Sequence, residues 1–241
     1  MGSLLLFFLL LFPLQASAQE VLVLNTCHMP PYHLDDQTGI SDQLLHQLFS
    51  RVGLKIFIQS LPPERALINA NMGLAAGDAG RVAGIEKNFP NLIRVPELLE
   101  TGKLVAFSKN FTFSTDSWAS LNPYNVAHIN GHKGVEAYID NPKSLLVVKD
   151  MKLLFELLAK DRTDIVVCEL LAGLSMIKQL NLRNIRVLEP PLATIDTYLY
   201  LHKDHAALVP QLNTALQNMK QDGTYDQINS QGHNLKGAAN R

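Results

Sequence analysis

The chain is poor in cysteine, in tryptophan and in clustered charge. Its 241 residues hold two cysteines, Cys27 and Cys168, and one tryptophan. Two cysteines are too few for a disulfide-stapled scaffold or a cysteine-rich zinc site. A disulfide and two free thiols both fit, because sequence does not give the geometry a bridge needs. Near Cys27 and His28 no CxxC or HxxxH spacing supplies the four ligands of a structural zinc, so neither metal nor cofactor is expected. Lys and Arg number 21 against 22 Asp and Glu, a net charge of −1. They are scattered, which removes the electrostatic case for nucleic acid. No nucleophile–base pair and no phosphate-cradling loop stands out. There is one long apolar run, Leu4–Leu14, well short of the ~20 residues that span a bilayer.

That run precedes "QASAQ", where Ala16 and Ala18 sit at the spacing of a signal-peptidase site. Removal of residues 1–18 and export to the periplasm are therefore expected. No Lys or Arg precedes the run, and a retained amphiphilic anchor is the competing reading. The rest, from Gln19, has a length that suits one large domain or two small lobes.

Strands and helices alternate along it. "EVLVLNT" is a continuous β-rich run, the mark of a strand covered on both faces. Ser41–Val52 has helical spacing at Leu44, Leu45, Leu48, Phe49 and Val52, with Ser41 or Asp42 as N-cap and Gly53 as the stop. "LKIFIQS" predicts a strand, and "PPERALINANM" a helix with proline in its first turn. A glycine-rich passage, "GLAAGDAGRVAGIEKNFPN", follows without an assigned element. Further strands are predicted at "LIRVPE", "KLVAFSK", "NVAHING", "SLLVVKD", "TDIVVCE", "NIRVLEP" and "TYLYLHKD". Helices are predicted from "HKGVEAYI" and at "MKLLFELLAKD", "LLAGLSMIKQLN" and "ALVPQLNTALQNMKQDG". The last residues, "GHNLKGAANR", read as a loose tail. This order implies an α/β fold with largely parallel sheets, whose ligands bind beyond the carboxyl ends of the strands.

The order and spacing of "PPY" (Pro30–Tyr32), Gly39, "PPERAL", "TDIVVCE" and "LYLHKDHAALVPQLNTALQNMKQDGTYDQI" resemble the periplasmic solute-binding proteins of family 3, amino-acid ABC transporter substrate-binding type. The resemblance covers nearly all of the chain after the leader. It implies the two-lobed type II periplasmic-binding-protein fold with two crossing hinge strands. Lobe 1 would be residues 19–99 and 198–241, and lobe 2 residues 100–197. It further implies a monomeric binding protein without enzymatic activity. Such a protein captures an amino acid or related carboxylate for a membrane permease or a sensor. Two alternatives stand beside it: an exported enzyme on the same scaffold, similar to cyclohexadienyl dehydratase, and a ligandless partner of a membrane sensor. The sequence departs from the pattern in three places, the first being Pro62 or Pro63 where an aromatic often precedes the second helix. Ala76 stands where a Gly-x-x-Asp acid is usual, and Arg81 lacks the Thr usual three residues before it.

Seven residues are candidates for ligand binding. Arg81 can grip a carboxylate with two parallel hydrogen bonds. Glu169, at the end of "DIVVCE", matches an acid that binds a ligand ammonium, or else favours the start of a helix. Gly131 and His132 open a helix, where free N–H groups hold anions, and His132 can add charge at mildly acidic pH. Tyr32 and Thr26 belong to a loop stiffened by paired prolines, and Tyr32 either stacks on a ligand or packs on the first helix. Arg65, in a first helical turn, faces the cleft or the solvent.

Overall fold

The computed structural model describes residues 21–230. The expected leader with its cleavage site and the expected "GHNLKGAANR" tail lie outside them.

The first lobe is built around β1 (Val21–Thr26), which pairs in parallel with β2 (Lys55–Ser60) and β3 (Gly77–Val82). Leu22 and Leu24 of β1 pack with Leu44, Leu45, Leu48 and Phe49 of α1 (Ile40–Ser50) and with Leu212 and Leu216 of α6 (Val209–Gln221). α2 (Pro63–Asn71) buries Leu67 and Ala70 beneath Tyr200. Each fully buried Leu or Phe contributes about 1.5–3 kcal/mol, so this cluster is the main support of the lobe.

The second lobe uses β6 (Asn125–Ile129), parallel to both β7 (Ser144–Val148) and β8 (Ile165–Glu169). α4 (Met151–Ala159) and α5 (Leu170–Gln179) cover one face, where Phe107 meets Phe155 edge-on at 5.3 Å. Cys168 is fully buried on that face.

Two long strands join the lobes. β5 (Glu100–Ser108) and β10 (Ala193–His202) pair antiparallel over Leu104–Glu100 and Ala193–Thr197. β5 then continues beside β8 in the second lobe, while β10 continues beside β3 and the short β4 (Leu92–Arg94) in the first. The result is one curled mixed sheet in the order β2-β1-β3-β10-β5-β8-β6-β7. Among the described residues no helix is long and apolar enough to cross a membrane.

Four local expectations change. The N-cap of α1 is Gly39, not Ser41 or Asp42. Asp42 instead reaches back from the third helical position, its carboxylate accepting from the N–H of Gly39 (3.1 Å) and of Leu34 (2.9 Å). Glycine is required there because a Cβ would lie 2.1 Å from the Tyr32 carbonyl oxygen. The glycine-rich passage contains a central strand, β3, whose Gly77 lets the Tyr200 carbonyl approach closely. The helix begun by "HKGVEAYI" is a single turn, α3 (Lys133–Glu136). The strand in "NIRVLEP" shrinks to β9 (Arg186–Val187).

Candidate functional site

A cavity of about 90 Å³ lies where the lobes meet. The loop after β1, strand β3, the crossing strands, the turn before α3 and the end of β8 all line it. This is well above the roughly 10–15 Å³ needed to hold one water, a volume for a small molecule.

β3 carries Arg81 into the cavity from the first lobe, and β8 carries Glu169 in from the second. Both are nearly buried, at 6% and 9% exposure. Arg81 is not an open fork. Its Nε donates to Asp78 Oδ1 at 2.8 Å, and its Nη2 to Asp78 Oδ2 at 2.9 Å and to the Pro63 carbonyl at 3.1 Å. Asp78 stands three residues before Arg81, in the place where a Thr was looked for. Burial works against the Arg81 charge, but Asp78 outweighs it and holds the guanidinium protonated. These bonds leave Nη1 as the atom through which Arg81 can meet a ligand.

Glu169 caps α5 by accepting from Ala172 N at 2.9 Å. It also takes a hydrogen bond from the Tyr32 hydroxyl, which joins the two lobes. Burial raises its carboxyl to about 7, against the pull of these donors. Burial also raises the Tyr32 hydroxyl, with Glu169 and Glu100 adding to the effect. Glu100 of β5, a second acid on the cavity, accepts from the Ser41 hydroxyl, and burial raises it too.

The turn before α3 differs from the anion site expected at Gly131 and His132. Gly131 N–H already donates to Glu136 Oε1 at 2.6 Å, so its donor is occupied from within. Burial first, then the charge of Arg81, lowers His132 to about 4. It therefore stays neutral at mildly acidic pH, contrary to expectation. Thr26 is fully buried at the end of β1 and does not line the cavity. Arg65 is exposed on α2 and is not on the cavity either. It sits about 100° around the helix from Glu64, whose carboxylate pairs with Lys133 of the second lobe. Five of the seven candidates thus come together: Arg81, Glu169, Tyr32, Gly131 and His132. The sequence reading missed Asp78, Glu100, His33 and Lys133. The i, i+3 spacing of Asp78 and Arg81 was the one signal available for these four.

The lobes are in contact across the mouth. Lys133 Nζ pairs with Glu64 Oε2 at 2.6 Å and with Glu136 Oε2 at 2.9 Å. Gly131, at φ +84°, lies so near the start of α2 that a Cβ would meet Glu64 N at 2.4 Å. Among the described residues no group of three or more His, Cys, Asp or Glu is arranged to hold a metal ion.

Comparison with solved structures places this architecture. The substrate binding protein of an amino acid ABC transporter aligns over 88% of this chain and 98% of its own, at 18% identity and a TM-score of 0.74. A histidine kinase sensor domain with similarity to periplasmic binding proteins aligns over 88% and 96%, at 17% identity and a TM-score of 0.76. The arginine-, lysine-, histidine-binding protein ArtJ of Geobacillus stearothermophilus aligns over 88% and 94%, at 15% identity and a TM-score of 0.75. This is the type II periplasmic-binding-protein fold. In sequence, an uncharacterized protein of Shewanella oneidensis is 26% identical over 193 residues, 76% of this chain and 71% of its own. No family model matches the chain.

Within this fold the two cysteines stand apart in environment. Cys27 lines the cavity, while Cys168 points into the packing between β5 and α5, and both are free. Burial raises both thiols, so neither is a ready nucleophile. Intact mass under non-reducing conditions is expected to show two alkylatable thiols. Cys27 should react first, and more slowly once the cavity is filled. A single oxidised species two mass units lighter would contradict the packing of Cys168.

Proposed function

We propose that this chain is a monomeric solute-binding protein that works outside the cytoplasmic membrane. It captures a small polar solute between residues 19–99 with 198–241 on one side and 100–197 on the other, and presents it to a membrane permease or a sensor. The observation that carries this reading is the cavity at the lobe junction, to which each lobe contributes a nearly buried charged residue, Arg81 and Glu169. Such groups are costly to bury in an empty space and repay it when a polar ligand meets them. Hinge strands running through both lobes suit a closure motion around the solute. The similar solved proteins named above are described as binding amino acids or as sensing, which supports the same class of role. The leader-like run at Leu4–Leu14 supports export.

Thermal unfolding against a panel of amino acids, amines, small carboxylates and sugars tests the proposal. A true ligand at one hundred times its dissociation constant stabilises the fold by about 2.7 kcal/mol. No shift with any compound would overturn it and favour a ligandless sensor partner.

One observation keeps an enzyme in view. Glu169, raised to about 7 beside Tyr32, has the acidity of a general acid at neutral pH. Turnover of a cyclic carboxylate such as a cyclohexadienyl substrate, abolished by Glu169→Gln, would replace the binding reading with this one.

A further inference from the structure

The polar groups around the cavity divide unevenly. The groups best able to receive an anion already have carboxylates of the chain against them, and Arg81 keeps only Nη1 open. Asp78 takes the Arg81 fork, Glu136 takes the Gly131 N–H, and Glu64 with Glu136 take the Lys133 ammonium. The acids facing the cavity are the reverse case. Glu169 and Glu100 accept hydrogen bonds from neutral groups, and among the described residues neither has a salt bridge to a cation. Between them the walls are short and apolar: Met29, Val82, Leu104, Val135 and Ile195.

We infer that the cavity takes a small organic cation, an amine with a short apolar body and no carboxylate. This rests on the solute-binding reading above and narrows it. A ligand carboxylate would have Arg81 Nη1 alone instead of the two-bonded fork, or would have to displace Asp78 or Glu136 from bonds already made at 2.6–2.9 Å, and in either place it adds a further negative charge beside them. A ligand ammonium meets no such rival. It pairs with Glu169, held in place by the α5 cap and Tyr32, while Glu100 adds a second acid to the cavity wall. Asp78, paired with the guanidinium at 2.8 Å, offsets part of the repulsion from Arg81. The small volume favours a body of a few carbons.

The test uses three compounds that differ by one group each: propylamine, 2-aminobutyrate, which adds a carboxylate to it, and butyrate, which lacks the amine. Calorimetric titration of the full chain after leader removal is expected to give propylamine at least tenfold tighter binding than 2-aminobutyrate, and none for butyrate. The amine should bind about tenfold tighter at pH 8 than at pH 6. Glu169, near 7 in the free protein, must give up its proton to pair with the cation. Cys27, Tyr32, His33, Glu100, His132, Lys133, the Asp78–Arg81 pair and the neighbouring Cys168 are the other ionisable groups around it. Glu169→Gln should lose amine binding while the unfolding midpoint of the free protein is kept or raised. Tighter binding of 2-aminobutyrate, of butyrate, or only of neutral sugars would overturn the cation assignment and leave the solute-binding reading standing. Unchanged amine affinity in Glu169→Gln would also overturn it. Silence from every compound would remove the binding reading itself.

Discussion

Arg81→Ala is expected to lower the folding stability by roughly 3–5 kcal/mol, an effect on the fold before any effect on a ligand. The side chain is nearly buried, and Asp78 beside it is wholly so. Burial pushes the Asp78 carboxyl up, and Arg81 offsets part of that push by charge and by hydrogen bonds. Without the guanidinium, a carboxylate and the Pro63 carbonyl are left buried beside an empty space. The folded variant must then protonate Asp78 or admit water, and either lowers stability. Replacing both partners with neutral polar groups, Asp78→Asn with Arg81→Gln, is expected to recover a large part of the loss, since no unpaired charge remains. Urea denaturation of the single and double variants measures this. A loss below about 1 kcal/mol in Arg81→Ala, together with collapse of solute affinity, would make Arg81 a ligand residue first and contradict the structural role given to Asp78.

Gly131→Ala is expected to weaken solute binding at least tenfold, about 1.4 kcal/mol, by holding the lobes apart. The added carbon would sit 2.4 Å from Glu64 N and 2.9 Å from Glu64 Cα, both backbone atoms at the rigid start of α2. Neither can rotate away, so the turn before α3 has to retreat. That retreat also lengthens the Lys133–Glu64 pair across the mouth, now 2.6 Å. The positive φ adds a strain of about 1 kcal/mol in any conformation. Small-angle scattering with saturating solute should show the variant more extended than the unsubstituted protein. Equal dimensions and equal affinity would mean that the closed contact at Gly131 plays no part in capture.

These two positions show what the sequence could and could not convey. Periodicity located α1, α4 and α6, and the apolar runs located β1, β6 and β8, because each of those signals reports burial against a core. From their alternation the α/β class follows, and from their order the likeness to two-lobed binding proteins. The strand β3 was hidden. Its glycines serve the close approach of the Tyr200 backbone, and its polar residues serve the cavity, so the usual apolar pattern is missing. The cavity itself was half legible. Arg81, Glu169, Tyr32, Gly131 and His132 do meet there, since strand ends and the loops after them converge in such folds. Their partners were not legible. That Asp78 fills the Arg81 fork, or that Glu136 fills the Gly131 donor, depends on rotamers and on a turn only four residues long. Arg65 and Thr26 failed for a related reason. One residue of shift on a helix turns a side chain from cleft to solvent, and a strand end can bury a hydroxyl as easily as present it.

The central claim is that the junction of the lobes holds one small molecule against Glu169. Native mass spectrometry of the chain from Gln19 onward, incubated with the amine panel, tests that claim most directly. The account predicts a single one-to-one adduct that is absent from Glu169→Gln at the same concentration. Protein that stays adduct-free with every compound, or an adduct held equally by Glu169→Gln, would contradict it.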